Sequence, residues 1–527
     1  MPSPLLAELA AAGVEPGRPL ALTISSGVGL AVAGRSWAVP TGDAVRLVAG
    51  IDDALAPRWT WWGRATTDVL VAGGLRVGTC WDIDAVHQLL FGGGRTGVAG
   101  AWAQLRGLPL TGLPSTGQLD LLGPSDDDGT DLDDPVRPDG YLRPEWVDGG
   151  WRRDPQRLAQ WAALALDCAR QQEQELARVL VAGDPRMTAR AESAAELLSA
   201  EMQVDGLPID VVRATELVSA AAGPRPRDER HATETRRERD ELVLRHAGST
   251  ADLRNPAQVR TLLAGIGVDV PDTRSWRLEP LRGTHPLVDA LLTWRKAERI
   301  ATTYGYAWLD EHVRDGRLRG SWLGSDGAAG RMTASAGLHN LPAELRSAVA
   351  ADDGYVFVRA DLGQIEPRVL AVVSGDLDLA RAGREDDLYS PVAARLGVQR
   401  PVAKVAVLAA MYGQTSGTAG QALRGLTSAY PTAMSFLDAA YADGRAGRDV
   451  RTFGGRLVRM PALPARLDEE GIRAFQGARG RYARNAVVQG SAAEFFKMWA
   501  VTVRARSAAP DVRIVLCLHD ELLVHAP

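Results

Sequence analysis

The sequence predicts a mixed α+β chain, opening with a small α/β domain, and three observations carry that prediction. Residues 1 to about 110 alternate short apolar runs with Gly and Pro, as in Leu20-Ala21-Leu22-Thr23-Ile24 and Val28-Gly29-Leu30-Ala31-Val32, the pattern of antiparallel hairpins in a small α/β domain. Helical periodicity dominates from Asp154 to about Ser219. In the last third, the β-branched runs ending at Asp361 and Asp520 read as buried strands, each delivering a carboxylate to its tip. The chain's 527 residues give room for two or three domains with large cores, and 46% hydrophobic with 24% charged residues is ordinary for a globular protein.

In chain order, Gly92-Gly93-Gly94-Arg95-Thr96-Gly97 lacks the Gly-Lys-Ser/Thr ending of a phosphate loop and reads as a plain loop. Residues 115–148 hold Asp126, Asp127, Asp128, Asp131, Asp133, Asp134 and Asp139 among Gly, Pro and Ser, without the spacing or closing Glu of a calcium loop. They read as a disordered acidic insertion. Arg225–His246 reads as an exposed Arg/Glu helix, Asn255 starts a short helix, and Leu291–Val313 reads as one long helix. None of these carries catalytic chemistry. Gln364–Ser374 reads as a helix whose Pro367 falls in the tolerant first turn, and Leu522-Leu523-Val524 turns back after Asp520 as a hairpin. Cys80, Cys168 and Cys517 match no metal spacing, and no apolar run is long enough to span a bilayer. A reducing cytoplasm, without membrane contact, is expected.

Two carboxylates on adjacent strand ends suit divalent magnesium or manganese, and two such ions about 3.5–4 Å apart serve phosphoryl transfer. An Asp at a strand end is more often only a turn residue. In Arg400-Pro401-Val402-Ala403-Lys404-Val405-Ala406-Val407-Leu408-Ala409-Ala410-Met411-Tyr412-Gly413, residues Arg400, Lys404, Leu408 and Tyr412 recur every fourth position and form a slowly drifting stripe on one helix face. The cations suit a triphosphate, the later groups a sugar and base; an amphipathic helix with its cations in solvent is the alternative. Lys296, Lys404 and Lys497 are the only lysines, so lysine at 404 suggests a need for a compact ammonium. Residues 451–506 are basic, with eleven Arg/Lys against four Asp/Glu, which suits either a phosphate backbone or a solvated face.

Together and in this order, these stretches resemble family A DNA polymerases, the DNA polymerase I-like group. The Asp361 stretch is similar to D-Y-S-Q-I-E-L-R, the Arg400 stretch to R-x-x-x-K-x-x-x-F-G-x-x-Y-G, and the Asp520 stretch to H-D-E. Gly330–Ser335 resembles T-G-R-L-S-S, Leu338–Pro342 resembles N-L-Q-N-I-P, Gly454-Gly455-Arg456 resembles the G-R-R loop, and Arg481–Gly490 resembles R-x-x-x-N-x-x-x-Q-G. The resemblance runs from about Glu192 to Pro527. It implies a right-hand architecture of palm, fingers and thumb behind an exonuclease-like α/β domain: 1–190 exonuclease-like, 191–330 the start of the polymerase domain and the thumb, 331–527 palm and fingers.

By resemblance, Asp361, Asp520 and the Leu362 carbonyl hold two magnesium ions, with manganese as a substitute. Arg400 and Lys404 bind the triphosphate, and Lys404 is the general acid. Gln364, Glu366, Leu408, Tyr412 and His519 complete the nucleotide site, Glu366 crowding a ribose 2′-hydroxyl. Arg331, Asn340, Arg481, Asn485, Gln489 and Glu521 face DNA, although Glu521 fits equally as a hairpin salt-bridge partner. The implied partners are primer-template DNA and deoxynucleoside triphosphates, and the resemblance implies a cytoplasmic, nucleoid-associated monomer. Leu408 and Ala409 depart from the family's aromatic and Gly, so the sugar loses a flat surface; Pro367 replaces a helix former. The chain ends six residues beyond Glu521, where family members continue, so either the sequence is truncated or its palm sheet is incomplete. The first strands lack the Asp-x-Glu pair of 3′–5′ exonucleases, and Asp68, Asp82, Asp84 and Asp167 are scattered, so that activity is expected to be lost. A non-catalytic DNA-binding scaffold is the rival from another class; a single-subunit RNA polymerase or reverse transcriptase is the enzymatic one.

Overall fold

The computed structural model describes residues 4–113, 133–152, 154–413, 418–507 and 511–527, with 418–422 described by backbone alone. The chain forms two compact units: Met1–Val204 with Trp322–Thr333 and Val358–Val524, and Asp205–Ser321 with Ala334–Phe357 and His525–Pro527. Three consecutive blocks were expected. The N-terminal α/β region lies in the same unit as the acidic strand tips, and the chain leaves that unit three times, after Val204, Thr333 and Val524.

In the first unit, β1 (Pro19–Ile24), β2 (Val28–Val32), β3 (Arg35–Val39), β4 (Arg58–Trp61) and β5 (Cys80–Asp82) form one sheet in the order β3-β2-β1-β4-β5. The β1–β2 and β2–β3 pairs are antiparallel, whereas β4 runs parallel to both β1 and β5. Helix Pro155–Arg178, N-capped by Asp154, lies so close to β2 that the Leu158 carbonyl leaves no room for a Cβ at Gly29. Trp62, Trp146 and Trp161 cluster beneath it, with the Trp62 and Trp161 ring centroids 4.9 Å apart. The helical stretch from Asp154 is three helices, Pro155–Arg178, Pro185–Asp205 and Val211–Ala222. Residues 114–132 of the acidic segment lie outside the described residues. Residues 133–148, expected to be disordered, are folded: Val136 bridges to Leu142, Leu142 and Trp146 are buried, and Arg157 Nε donates to Asp133 at 3.1 Å. Three apolar anchors outweigh the acidic composition there.

The remainder of this unit is an alanine-rich helical core joining Arg400–Tyr412, Pro431–Ala446 and the 38-residue helix Glu469–Arg506 through Ala403, Val407, Met411, Leu437 and Val487. The acidic strands form a three-stranded sheet in the order Val356–Asp361, Glu521–Ala526, Arg513–Leu518. Residues Ile514–Cys517 are buried as expected, but Val356 and Val358 are 55% and 52% exposed. The 356–361 strand is therefore not a buried one: it stands at one edge of the sheet as Arg513–Leu518 does at the other, but its side chains are left uncovered where those of Ile514–Cys517 are packed.

The second unit packs Glu229–Leu244, Pro256–Gly265 and Pro286–Thr303 around Val243, Leu263, Leu287 and Leu291. The expected single helix from Leu291 to Val313 is two, Pro286–Thr303 and Tyr306–His312, parted at Tyr304-Gly305. Among the described residues no helix is long and apolar enough to cross a membrane.

Candidate functional site

The carboxylates of Asp361 and Asp520 are brought together by strand pairing at the sheet's tip, where the Leu362 amide donates to the Asp520 carbonyl at 2.9 Å. His519 and Asp520 form a two-residue hairpin loop, with His519 at φ +47°. Burial, and then the neighbouring Asp361 charge, push the Asp520 carboxyl above the usual carboxylate range. Asp361 accepts the Gly363 amide at 2.6 Å, and Arg359 approaches it only to 3.7 Å. Two like-charged oxygen donors with one loose counter-charge suit a hard divalent cation; among the described residues no group of three or more His, Cys, Asp or Glu side chains is placed to hold one.

Beyond Asp361 the chain turns through Gly363 and Gln364, both at positive φ, into helix Ile365–Ser374. Pro367 is buried in its first turn, as expected. That turn aims Glu366 back toward the acids. Burial raises the Glu366 carboxyl, opposed by the Arg331 guanidinium that pairs with it. Tyr412 donates its hydroxyl to Glu366 at 3.5 Å and accepts from Gln489 Nε2 at 3.1 Å.

On helix Arg400–Tyr412, residues Arg400, Lys404 and Tyr412 are exposed and Leu408 half-buried against the helical core, so the stripe faces outward as its spacing requires. Its C-terminal Gly413 takes φ +69°, against the Arg481 stem. Lys404 makes no hydrogen bond or ion pair among the described residues. Arg400 does: its Nε and Nη2 grip Asp387 at 2.7 and 2.9 Å, holding that carboxyl well below the usual range. Gln364 Nε2 donates to the same Asp387 at 3.2 Å, so a hydrogen-bonded path joins the strand tip to the cationic helix.

Sequence reading missed Asp387; only the run Arg384-Glu385-Asp386-Asp387 hinted at it. It also missed Arg359, which ties Glu521 at 2.7 Å, so Glu521 is engaged as a salt-bridge partner across the sheet. Arg481 is exposed, Asn485 half-buried with Oδ1 unbonded among the described residues, and Asn340, exposed, lies in the second unit. The basic 451–506 stretch is largely spent internally: Arg451, Arg456, Arg459, Arg479, Arg484, Lys497 and Arg504 all bind protein groups. Arg466, Arg481 and Arg506 have no such partner among the described residues.

Residues 228–527 match the family model for DNA polymerase family A. The thermostable DNA polymerase I of Thermus thermophilus is 30% identical over 335 residues, covering 55% of this chain and 39% of that protein. DNA polymerase I of Chloroflexus aurantiacus is 34% identical over 281 residues, covering 47% of this chain and 29% of its own length. The chain thus spans between about three tenths and two fifths of the length of the curated relatives it matches. A structure of the POL domain of Pol1 from M. smegmatis, in complex with DNA primer-template and dNTP, superposes with a TM-score of 0.67 at 21% identity over all of this chain and 92% of that one, which supports the fold. With more than half its length matched to the family model and these motifs in order, the chain belongs to DNA polymerase family A.

Proposed function

We infer that this chain adds deoxynucleotides to a primer 3′-hydroxyl under the direction of a DNA template, releasing pyrophosphate. The observation that carries the reading is the path that runs from Asp361 along the chain to Gln364 and by hydrogen bonds through Asp387 to Arg400, one helical turn from Lys404, which has no partner among the described residues. It gives a cation-holding end and a phosphate-holding end to one site. The family membership and the DNA and dNTP named for the M. smegmatis structure support it.

On this reading Asp361, Asp520 and the Leu362 carbonyl would hold divalent metal, two magnesium ions with manganese as a substitute. Such ions, when bound, lower the hydroxyl's pKa and neutralise charge on the α-phosphate and leaving group. Arg400 exchanges Asp387 for the incoming triphosphate, and Lys404 protonates the departing pyrophosphate. Glu366, pinned between Arg331 and Tyr412, crowds a 2′-hydroxyl. Arg331, Asn340, Arg481, Asn485 and Gln489 contact primer-template, with acceptors common to all base pairs offering sequence-independent grip.

The N-terminal α/β region serves as a structural domain without 3′–5′ exonuclease chemistry. What supports this is where its acids are spent. Asp68 binds Arg64 at 2.6 Å, Asp84 binds Arg95 at 2.7 Å, and Asp167 binds Arg106 at 2.6 Å. Asp82 is buried, capping helix Ile83–Phe91. A metal-binding cluster needs free carboxylates, and guanidinium groups hold three of these four.

Extension of a primed template with magnesium and each nucleotide type tests the reading. Asp361→Asn or Asp520→Asn should abolish extension while primer-template affinity stays within severalfold, because grip comes from many phosphate contacts. Near-normal turnover by either variant would refute the metal assignment.

A further inference from the structure

Four ionisable side chains meet in the interior of the first unit, away from the acidic strand tips: Glu192, Arg456, Glu494 and Lys497, each 3% exposed or less. They come from three separate elements: Glu192 from helix Pro185–Asp205, Arg456 from the loop before Leu457, and the other two from helix Glu469–Arg506. Lys497 Nζ lies 2.5 Å from Glu192, and Arg456 lies 2.6 Å from the same carboxylate. Glu494 accepts the Gly454 amide at 3.0 Å and the Thr452 hydroxyl, closing the loop over the group. Burial alone would push the Glu192 carboxyl up; Arg456 and Lys497 more than reverse this and leave it below the usual range.

Such a cluster is a poor way to gain stability, since apolar residues of similar volume often do as well or better. Its geometry suggests another use. Lys497 Nζ also donates to the Gly330 carbonyl at 2.7 Å. Gly330 sits at φ +65°, where a Cβ would collide with the Arg456 guanidinium. One residue is therefore clamped from two sides by the buried charges, and the next residue is Arg331. Arg331 opens strand Arg331–Ala334 and reaches across to Glu366. Lysine suits this place: a compact ammonium reaches a carbonyl and a carboxylate at once, where a planar guanidinium needs more width.

The geometry points to Lys497 as a positioning residue for Glu366, acting through the Gly330 carbonyl and the Arg331 guanidinium, so that the buried charge cluster sets how strictly the site selects the sugar of the incoming nucleotide. This rests on the polymerase reading of the site. The cluster touches neither nucleotide nor primer; it fixes the backbone from which the partner of Glu366 projects.

The test uses the full chain and the ratio of kcat/KM for deoxynucleotide to that for ribonucleotide in primer extension. Lys497→Met should lower the ratio about tenfold, chiefly by admitting ribonucleotide, as coupled neighbours in one network do. Because this variant leaves Glu192 less well balanced and can unfold the protein, Glu192→Gln/Lys497→Met is made beside it. That pair removes one charge of each sign and leaves Gly330 without its ammonium donor. The inference requires the double variant to melt near the wild type yet still discriminate poorly. In a Glu366→Ala background, Lys497→Met should change the ratio no further. A folded double variant with wild-type discrimination would overturn the inference, as would a Lys497→Met effect that persists undiminished without Glu366. If the wild-type chain extends no primer, the polymerase reading fails instead, and the two failures are told apart by that control.

Discussion

Asp387 occupies Arg400 and Gln364 at once, so the triphosphate must compete with a carboxylate already seated on its arginine. The pair is on the surface, where water and salt weaken it and the net gain from such contacts is small. Asp387→Asn should therefore lower the KM for deoxynucleotide by about twofold to fivefold with kcat little changed, an effect that shrinks as salt rises. A rise in KM would mean that Asp387 positions Arg400 rather than competing for it. Glu366 belongs to the same scale. Its Arg331 and Tyr412 partners hold it in one orientation, and Glu366→Ala should admit ribonucleotides by about tenfold or more, read as a fall in the sugar-selection ratio. Spacing made the stripe from Arg400 to Tyr412 legible, because every fourth residue of a helix faces one way whatever surrounds it. Asp387 was not legible, since nothing local distinguishes it from Glu385 and Asp386 beside it.

At the scale of the element, helix Glu469–Arg506 shows how a basic composition misleads. Arg479 and Arg481 are two residues apart and nearly opposite on the helix. Arg479 donates to the carbonyls of Gly444, Arg445 and Pro461, while Arg481 is exposed and unbonded among the described residues. Arg481→Ala should weaken primer-template binding and make the slope of log affinity against log salt shallower by about 0.9. Arg479→Ala should leave that slope alone and lower the melting temperature, because three carbonyls lose their donor. Affinity at several salt concentrations and a thermal melt separate the two. The edge strand Val356–Asp361 makes a parallel case. Its β-branched run marked a strand correctly, but burial depends on neighbours: Val358→Thr should shift stability by no more than about 0.5 kcal/mol, whereas Val515→Thr, buried in the adjoining hairpin, should cost about 1–3 kcal/mol in a denaturant melt.

For the whole molecule, the pH response reports on what the N-terminal sheet buries. Asp82 accepts Trp61 Nε1 at 3.0 Å and the Ala85 amide at 2.9 Å, but burial pushes its carboxyl up to about 7, with Glu196 adding to the shift. The folded chain then binds a proton that the unfolded chain has already released between about pH 4 and 7. Stability from this group is accordingly present at low pH and lost as pH rises through that window, by roughly 1–4 kcal/mol. Asparagine can still cap the helix. The melting temperature of Asp82→Asn relative to wild type should therefore be more favourable at pH 7.5 than at pH 5. An unchanged difference across that range would place the carboxyl's titration elsewhere.

The mixed α/β class, the strand-and-helix alternation around Asp361, the hairpin at Asp520 and the family itself were determined by sequence. Each depends on local periodicity or on residue types at fixed spacing, which a chain carries wherever it folds. Tertiary structure decided the rest. It made 356–361 an edge, folded 133–148 around Val136, Leu142 and Trp146, and parted 291–313 at Gly305. Above all it decided which charges meet. Scarcity of lysine drew attention to Lys404, and the same argument applied equally to Lys497, but only packing could show one in the open and the other enclosed with Glu192 and Arg456. Composition counts charges; their work is set by how far each stands from water and from its opposite, and that is a property of three-dimensional placement alone.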